Sequence, residues 1–431
     1  MAGIWEMRMK LPCFSRFWVL LAGLVLCGKC LWAEDRPYQV AVYYWPNYHV
    51  DAQNEEKLGA GWTEWELVKK ALPRFEGHQQ PRVPLWGYTD EANPRDMARK
   101  IDAMADHGIT AIIFDWYQYN TGQFLEGALR DGFLKAPNRG RVKFALMWAN
   151  HGYSDNFPAS PGKPKTLWHE GRVTRATFDA ATDRVIKEYF SQPNYWKIDG
   201  APYFSIYEMQ TLVDGLGGIE QTREALEGFR ARTKAAGFPD LHLNAVDWGI
   251  NRVKLSATNE KLEAGLENMT NSNVKTSDEV ARAVQVLGVS SVTSYTWAHY
   301  VNIARLTPYP GWAAQGIAYW DTARKRYPVP YYPHVSVGWD SSPRTDPAKP
   351  WDQSGYPYTG IVVGNTPEEF KKALVKAKNY LDTEPKAGRI LTVNSWNEWT
   401  EGSNLEPDTK NGLRYLEAIG EVFPPGGKAG E

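Results

Sequence analysis

The sequence predicts an α/β protein that folds as a single (β/α)8 TIM-type barrel with long loops after its strands. Strand-like apolar runs alternate with helix-like segments from Tyr38 onwards, and eight such pairs can be counted without an internal repeat or a low-complexity linker. A length of 431 residues with 43% hydrophobic side chains is enough for one large core. A doubly wound open sheet is the alternative. It would expect a glycine-rich phosphate-binding turn directly after an early strand, whereas Gly59-Ala60-Gly61 follows a loop.

Strands are predicted where short apolar, partly β-branched runs recur along the chain. They are expected at 40–45, 109–114, 142–147, 203–206, 241–246, 291–295, 334–338 and 390–396. Helices are predicted where apolar residues recur at helical spacing. Two of them have clear starts: Asn93 precedes Pro94, and Thr366 precedes Pro367 with Glu369 three residues after the threonine. The helices are expected at 94–107, 125–135, 174–190, 219–236, 277–287, 312–326, 366–381 and 411–422.

The first 33 residues are typical of a signal peptide. Arg8, Lys10 and Arg16 precede an apolar run at 17–27. This run is too short to span a membrane, which needs about 20 residues, but it fits the hydrophobic segment of a signal peptide. We therefore expect residues 1–33 to be removed from an exported protein that has no stable membrane insertion.

The rest of the chain is predicted to form one catalytic domain at 34–424 and a disordered tail at 425–431. All three cysteines lie in the leader, so the mature protein would contain no disulfide. A lipoprotein anchored at Cys27 is the alternative, but Leu24-Val25-Leu26 lacks the small residues expected before a lipidated cysteine.

The composition makes some ligands more probable than others. The net charge is −1 and no basic block is present, which argues against nucleic acid as a partner. The 19 Trp and 23 Tyr residues exceed what a core alone needs. This surplus favours a cleft for a flat, hydroxylated ligand such as a carbohydrate, although large cores also contain tryptophan. The oligomeric state cannot be predicted.

Glu398 and Glu401 are the candidate catalytic residues. They follow a predicted strand that is apolar on both faces, and Trp396 and Trp399 flank them. A carboxylate pair between aromatic side chains suits cleavage of a glycosidic bond, in which one carboxyl acts as an acid and the other as a base or nucleophile. The alternative is that both glutamates only cap backbone amides at the strand end.

Nearly every predicted strand ends in an aromatic residue beside a polar one. In a barrel, the carboxyl ends of all strands meet on one face, where active sites form, so these pairs predict a substrate cleft. The residues expected to bind substrate are Tyr44, Trp45, Asp115, Trp116, Trp148, Asn150, His151, Tyr207, Trp297, Trp339, Asp340, Asn397 and Trp399. The sequence indicates neither a cofactor nor a metal site, because no His-Glu-x-x-His or comparable ligand spacing occurs.

Four segments carry a family resemblance. They are Gly61-Trp62-Thr63-Glu64-Trp65, Gly77-His78-Gln79-Gln80-Pro81, Gly338-Trp339-Asp340 and the stretch 396–402 followed by Leu405-Glu406-Pro407. These segments resemble the WbsX-type domain allied to glycoside hydrolase family 99, whose members are endo-acting retaining α-mannosidases and mannanases on barrels. The resemblance implies that Glu398 and Glu401 are catalytic. It further implies that Glu398 deprotonates the 2-hydroxyl of the sugar and that Glu401 protonates the leaving oxygen.

Three functions are compatible with the sequence. We expect an exported glycoside hydrolase that cleaves a polysaccharide or glycan, α-mannosides included, with its Glu/Glu acid–base pair and with retention of configuration. One alternative is a WbsX-type glycosyltransferase of surface polysaccharide synthesis, but its nucleotide-sugar donor would be cytoplasmic and the leader argues against it. The other is a non-catalytic carbohydrate-binding barrel, against which the presence of both Glu398 and Glu401 argues.

Two positions have two interpretations each. Relatives commonly read Trp-Ala-Asn-Glu after the third strand, where this chain ends the motif with His151. His151 either changes the sugar or linkage that is recognised, or it is a solvated loop residue. Glu64 either contacts substrate or pairs with Lys69 or Lys70, and its distance in sequence from a strand end favours a structural role.

Overall fold

The computed structural model describes residues 1, 3, 37–154, 157–163, 165–255 and 277–426. The predicted leader, apart from two residues, and most of the predicted tail lie outside the described residues. One compact unit begins at Tyr38 and contains all strands and helices named below. No helix in the described part of the chain is both long and apolar enough to cross a membrane.

Nine parallel strands form the wall of a nearly closed barrel, and the predicted fold class is confirmed. The first strand pairs with both the second and the last, which brings the beginning and the end of the barrel chain together, and the sheet itself ends at Tyr331–Tyr332 and His334–Ser336. The strands are Gln39–Tyr44, Ala111–Tyr119, Lys143–Trp148, Ala201–Ile206, His242–Val246, Ser291–Thr293, Tyr331–Tyr332, His334–Ser336 and Ile390–Asn394.

The seventh strand position of the barrel is occupied by two short strands. Tyr331–Tyr332 pairs with Ser291–Thr293, whereas His334–Ser336 pairs with Ile390–Asn394. Pro333 separates them, and a proline has no N–H to donate to a sheet ladder. The sequence prediction located only the second half, because proline interrupts the apolar run.

Helices lie between the strands. The predicted caps are confirmed: the Asn93 side chain accepts a hydrogen bond from Arg95 N, and Thr366 accepts one from Glu369 N. The α-helices are Ala52–Leu58, Trp65–Lys70, Pro94–Asp106, Arg175–Arg184, Met209–Leu216, Ile219–Ala235, Asp247–Ile250, Ser277–Val286, Tyr309–Arg326, Pro367–Thr383 and Arg414–Val422. Two π-helical segments, Ala128–Phe133 and Val185–Phe190, occupy parts of predicted helices.

Side chains of the second strand alternate between the barrel interior and the surrounding helices. Asp115 contacts Tyr295, which follows the sixth strand, across the interior. The neighbouring Trp116 contacts Trp148, whose ring lies 5.9 Å from Phe178 on the helix Arg175–Arg184. Because the side-chain period of a strand is two, consecutive residues cannot both face one cleft. This alternation decides which predicted site residues can meet.

Candidate functional site

Three carboxylates meet one cation at the carboxyl ends of the strands. Nη2 of Arg344 lies 2.9 Å from Oε1 of Glu64 and 3.3 Å from Oε2 of Glu398. Nη1 of Arg344 bonds Oε1 of Glu401. All four side chains are buried. The structure therefore brings the two predicted catalytic glutamates to one guanidinium group.

Aromatic groups surround this guanidinium. Its carbon lies 5.4 Å from the ring centroid of Trp45 and 4.9 Å from that of Phe157. The Tyr356 hydroxyl donates to Oε1 of Glu401 at 2.7 Å. Ion pairs and cation–π contacts are stronger when water is excluded in this way. The site is a compact ionic cluster under aromatic cover.

Glu64 is fixed by three further donors. Nε1 of Trp45 and Nδ2 of Asn47 each donate to its Oε2 at 2.7 Å, and the Thr400 hydroxyl donates to its Oε1. With Arg344, these donors satisfy both carboxylate oxygens. Glu64 thus connects the loop after the first strand to the loop that carries Glu398 and Glu401.

The predicted pairing of Glu64 with Lys69 or Lys70 is wrong. Both lysines pair with Glu66 on the solvent-exposed side of their helix. Glu64 is 1% exposed and faces the barrel instead. Glu64 therefore has the structural role that the sequence favoured, but it has this role inside the candidate site.

A tyrosine connects Glu398 to Asp115. The Tyr295 hydroxyl lies 3.0 Å from Oε1 of Glu398 and 2.9 Å from Oδ2 of Asp115. A hydroxyl has one proton, so it can donate to only one of the two carboxyls. The other contact becomes a hydrogen bond when that carboxyl is protonated and donates to the tyrosine oxygen. The geometry suits one proton shared between Asp115 and Glu398.

The electrostatics agree with a shared proton. Burial raises the pKa of Asp115 well above its usual range, and the hydrogen bond with Tyr295 opposes this only in part. Burial and the nearby charge of Glu401 raise the pKa of Glu398, against the lowering effect of Arg344. Desolvation and like charges both favour a neutral carboxyl. The pair therefore retains a proton at a pH where an exposed carboxyl would have none.

Two predicted site residues brace the strand ends. Asn397 donates through Nδ2 to Trp45 O at 2.7 Å and accepts from Trp45 N at 2.8 Å. Asn150 makes the same pair of bonds with the backbone of Glu208, both at 2.9 Å. Because each side-chain amide both donates to and accepts from one backbone segment, these asparagines position the loops of the site.

Four predicted substrate-binding residues face the helices. Trp116, Trp148, Trp297 and Tyr44 belong to the main hydrophobic core. The indole N–H of Trp148 donates to Gln118 O, and that of Trp297 donates to His334 O. The structure does not bring these side chains to a cleft, since each packs into the core instead.

Trp399 is likewise enclosed. It is fully buried, and its Nε1 donates to Glu406 Oε2 at 2.9 Å. Glu406 in turn pairs with buried Lys100 at 3.0 Å. This ion pair lies beneath the loop of Glu398 and Glu401, so Trp399 anchors that loop to the barrel wall.

Asp340 binds the loop of the second predicted motif. His78 Nε2 and Gln80 Nε2 lie 2.9 Å and 2.7 Å from its Oδ2. Burial alone would raise the pKa of Asp340, but its bond to His78 and the charges of His78 and Arg82 lower it overall. The adjacent Trp339 is buried and donates to the Thr359 hydroxyl at 2.9 Å. The Asp340 carboxylate therefore holds the loop of His78 and Gln80 in place.

Half-buried aromatic residues form a second region at the barrel mouth. They are Tyr207, Trp248 and His299, and the guanidinium of Arg252 lies over the Trp248 ring. We call these four residues the aromatic shelf. The ring of His151 lies 5.7 Å from that of Tyr207. The position at which this chain has histidine and its relatives commonly have glutamate therefore lies beside the shelf. Tyr207 and His151 are thus the predicted residues that stay partly accessible.

Sequence reasoning missed Arg344 and Tyr356. Arg344 lies four residues after Asp340, and this short distance from a recognised motif was the available signal. Tyr356 belongs to a loop with no motif, and nothing in the sequence distinguishes it from other tyrosines. Within the described residues, no group of three or more His, Cys, Asp or Glu is arranged to hold a metal ion.

Asp247, directly after the fifth strand, should make the stability of the folded protein depend on pH. Burial raises its pKa to about 7, although hydrogen bonds from Ser294 and Trp248 N oppose the shift. An unfolded aspartate has a pKa of about 3.9, so the folded state binds the proton more tightly. This contribution to stability is fully present below pH of about 4 and is lost as the pH rises through about 7.

The variant Asp247→Asn cannot ionise. Between pH 4 and pH 8, its unfolding free energy relative to the native protein should therefore rise by on the order of 1–4 kcal/mol. Urea unfolding of both proteins at the two pH values measures this change. A difference that does not vary with pH would contradict it.

Comparison with known proteins agrees with the resemblance seen in the sequence. The model of the family described as Glycosyltransferase WbsX matches residues 40–419. Two uncharacterized proteins named WxcX, from two strains of Xanthomonas campestris pv. campestris, are 25% identical over 392 residues, or 90% of this chain and 50% of the relative. The chain thus spans about half the length of the curated relatives it matches.

Solved structures share the fold. The GH99 endo-α-mannosidase of Bacteroides thetaiotaomicron has a TM-score of 0.54 and 12% identity, with 89% of this chain and 96% of that chain covered. A glycoside hydrolase-like protein has a TM-score of 0.58 and 15% identity, with 90% and 95% covered. At these identities the likeness concerns the barrel alone.

Proposed function

Because this chain belongs to the family described as Glycosyltransferase WbsX, and because its barrel brings two glutamates to one guanidinium, we propose that it is a glycoside hydrolase acting on a polysaccharide or glycan. The observation that carries the proposal is the convergence of Glu398 and Glu401 on Arg344. Their carboxyl groups are thereby close enough to act on one glycosidic bond. General acid and base catalysis by two carboxyls is the common chemistry of such hydrolysis.

We assign the base to Glu398 and the acid to Glu401, as the family resemblance implies. The base must be ionised when the sugar binds. Glu398 contacts the cation of Arg344, whereas Oδ1 of Asp115 has no partner among the described residues. The shared proton is therefore better placed on Asp115, from where it donates to Tyr295. In this state the Tyr295 hydroxyl donates to an ionised Glu398.

Ionised Glu398 can take the proton of the sugar's 2-hydroxyl, whose oxygen then bonds to the anomeric carbon. Glu401 donates its proton to the leaving oxygen as the glycosidic bond breaks. Glu401 then deprotonates a water molecule that attacks the anomeric carbon and opens the three-membered ring, and Glu398 returns the proton to the 2-oxygen. Two displacements at that carbon give net retention of configuration. The α-mannosides are the first candidate substrates, by analogy with the relative of known activity.

A variant series at Asp115 tests the proton assignment. Asp115→Asn keeps an N–H that can donate to Tyr295, so we expect less than about a tenfold loss of kcat. Asp115→Ala removes the donor and leaves Glu398 poorly oriented, so we expect a loss of about 10²-fold. Because asparagine cannot lose the proton, the basic limb of the pH profile of kcat should move to higher pH in Asp115→Asn. Equal losses in both variants with unchanged pH profiles would contradict the assignment.

A substrate screen tests the activity itself. The purified protein would be incubated with α-mannans and with mixed bacterial and plant glycans, and the products identified by mass spectrometry and NMR. Release of oligosaccharides by the native protein but not by Glu398→Gln would support hydrolysis. Absence of any product across the panel would count against the proposal.

A glycosyltransferase is the second candidate function, because the family description names one. Its donor would carry a diphosphate. Three carboxylates already compete for Arg344 in the site, and they would repel this group. We also propose export on the basis of the leader, which would separate the protein from cytoplasmic donors. Transfer of sugar from a nucleotide donor to an acceptor glycan would favour the transferase.

A further inference from the structure

We propose that the aromatic shelf is a subsite for a carboxylate-bearing sugar and that Arg252 binds the carboxylate. The inference rests on the proposed function in that the subsite extends the same active site. It adds a substrate class: a glycan that contains uronic acid or another acidic glycosyl residue. Neither the family description nor the named relatives specify this chemistry.

The shelf lies at the barrel mouth and is continuous with the candidate catalytic residues. Tyr207 follows the fourth strand, Trp248 and Arg252 follow the fifth, and His299 follows the sixth. The Tyr207 ring lies 5.4 Å from the Tyr295 ring, which in turn contacts Glu398. A glycan with one sugar at Glu398 can therefore place a neighbouring sugar over the shelf.

Arg252 is oriented to bind an anion. Its guanidinium carbon lies 3.2 Å from the ring centroid of Trp248, so one face of the cation is covered by the indole. The structure records no ion pair for Arg252 among the described residues. A stacked guanidinium keeps its N–H groups at the edge, where they match the two oxygens of a carboxylate.

The nearest acid does not occupy this position. Glu208 accepts a hydrogen bond from the Thr211 hydroxyl at 2.6 Å and from Trp248 Nε1 at 3.4 Å. Its charge acts on Arg252 through space without a direct bond. Glu208 therefore orients the indole, while the N–H edge of Arg252 stays available to a ligand.

His299 provides a second unsatisfied position. Its ring stacks on Trp248 with centroids 4.6 Å apart, and its Nε2 lies 3.1 Å from the Tyr207 hydroxyl. Its Nδ1 is buried and has no hydrogen-bond partner among the described residues. Arg252 and His299 both stack on the indole of Trp248, and buried polar atoms are normally paired, so the unpaired Nδ1 indicates a second place in the shelf for a ligand oxygen.

Charge complementarity favours an acidic sugar over a neutral one. Arg252 places a positive charge on the shelf, and this charge attracts a carboxylate more strongly than it attracts a neutral sugar. A neutral sugar would gain only hydroxyl hydrogen bonds there and would not need a stacked guanidinium.

Binding to matched pairs of polysaccharides tests the inference. The probes are polygalacturonate, alginate and hyaluronan, each beside its carboxyl-reduced form, which keeps the linkages and loses the charge. Affinity electrophoresis of the full chain measures binding without any need for turnover. We expect at least one acidic probe to retard the protein, and carboxyl reduction to weaken its binding by about tenfold or more.

Variants of Arg252 test the same charge interaction by changing the protein instead of the probe. Arg252→Ala should weaken binding of the acidic probe by about tenfold or more, and Arg252→Lys should retain part of it. Arg99→Ala is the matched control, because Arg99 also contacts a tryptophan, Trp86, but lies exposed on the helix Pro94–Asp106. It should leave binding unchanged.

The outcomes separate this inference from the proposed hydrolysis. Arg252-dependent binding of an acidic probe supports the subsite, whether or not the probe is cleaved. The subsite is overturned if no acidic probe binds, if the reduced probe binds equally well, or if Arg252→Ala matches Arg99→Ala. Hydrolysis of a neutral glycan by Arg252→Ala at the native rate would leave the proposed function intact and refute the acidic substrate class.

Discussion

Glu398→Gln and Glu401→Gln should each lower kcat by about 10²–10⁴ while substrate binding survives. This is the usual contribution of a general acid or base. Glutamine preserves the shape of each side chain and can still bond to Arg344, so the loss should appear in kcat rather than in affinity. Initial rates and binding measured on the substrate found by screening give both quantities.

The two variants should differ with the leaving group. A glycosyl fluoride needs little help from an acid, so Glu401→Gln should recover fluoride release in the first turnover if Glu401 is the acid, while the loss of the base for water still slows later turnovers. Glu398→Gln should not recover. Glu417→Gln, on an exposed position of the helix Arg414–Val422, is the control and should match the native rate. Full activity in Glu398→Gln would refute its role.

The stereochemistry of the product tests the same mechanism. Proton NMR of the first-formed product should show retention, because the 2-hydroxyl oxygen and then water each displace a group at the anomeric carbon. An inverted anomer would rule this route out. So would full activity on a 2-deoxy substrate, which lacks the attacking hydroxyl.

Arg344→Met should lower the unfolding free energy by about 3–5 kcal/mol. The substitution removes the cation that Glu64, Glu398 and Glu401 share and leaves buried carboxylates without a counter-charge. Breaking a buried ion pair from one side costs about this much. Urea unfolding at neutral pH measures the change.

Two further variants control this prediction. Arg223→Met removes a cation that pairs with Glu220 and Glu227 on an exposed helix surface, and it should leave the unfolding free energy nearly unchanged. The double variant Glu64→Gln with Arg344→Met should lose less than the sum of the single losses, since the two side chains interact directly. A loss for Arg344→Met no greater than that for Arg223→Met would contradict the prediction.

The barrel was predictable because its signals are local. Apolar runs, helix caps and loop lengths lie within short windows of sequence, and the helix starts at Asn93 and Thr366 were located from them. Met209–Leu216 was missed, because the sequence prediction treated the connection after the fourth strand as loop. Tyr331–Tyr332 was missed because Pro333 interrupts the apolar run, and only His334–Ser336 was located.

The composition of the site was only partly predictable. The pair of glutamates is a motif, whereas the direction of a side chain depends on strand register. Asp115 and Trp116 are neighbours in sequence, yet one faces the interior and the other faces a helix. Arg344 was missed because its contact with Glu64 joins residues 280 positions apart, and no local pattern records such a pairing.

The seam between the first and last strands also constrains how the chain is made. Gln39–Tyr44 pairs on one side with Ile390–Asn394, whose residues are synthesised some 350 positions later. At roughly 5–20 residues per second, the first strand waits on the order of 20–70 seconds for this partner. During that interval one of its edges is unpaired, and an apolar strand edge is a template for aggregation. Among the strand pairs of the barrel sheet, this one therefore leaves an edge unpaired for the longest time during synthesis.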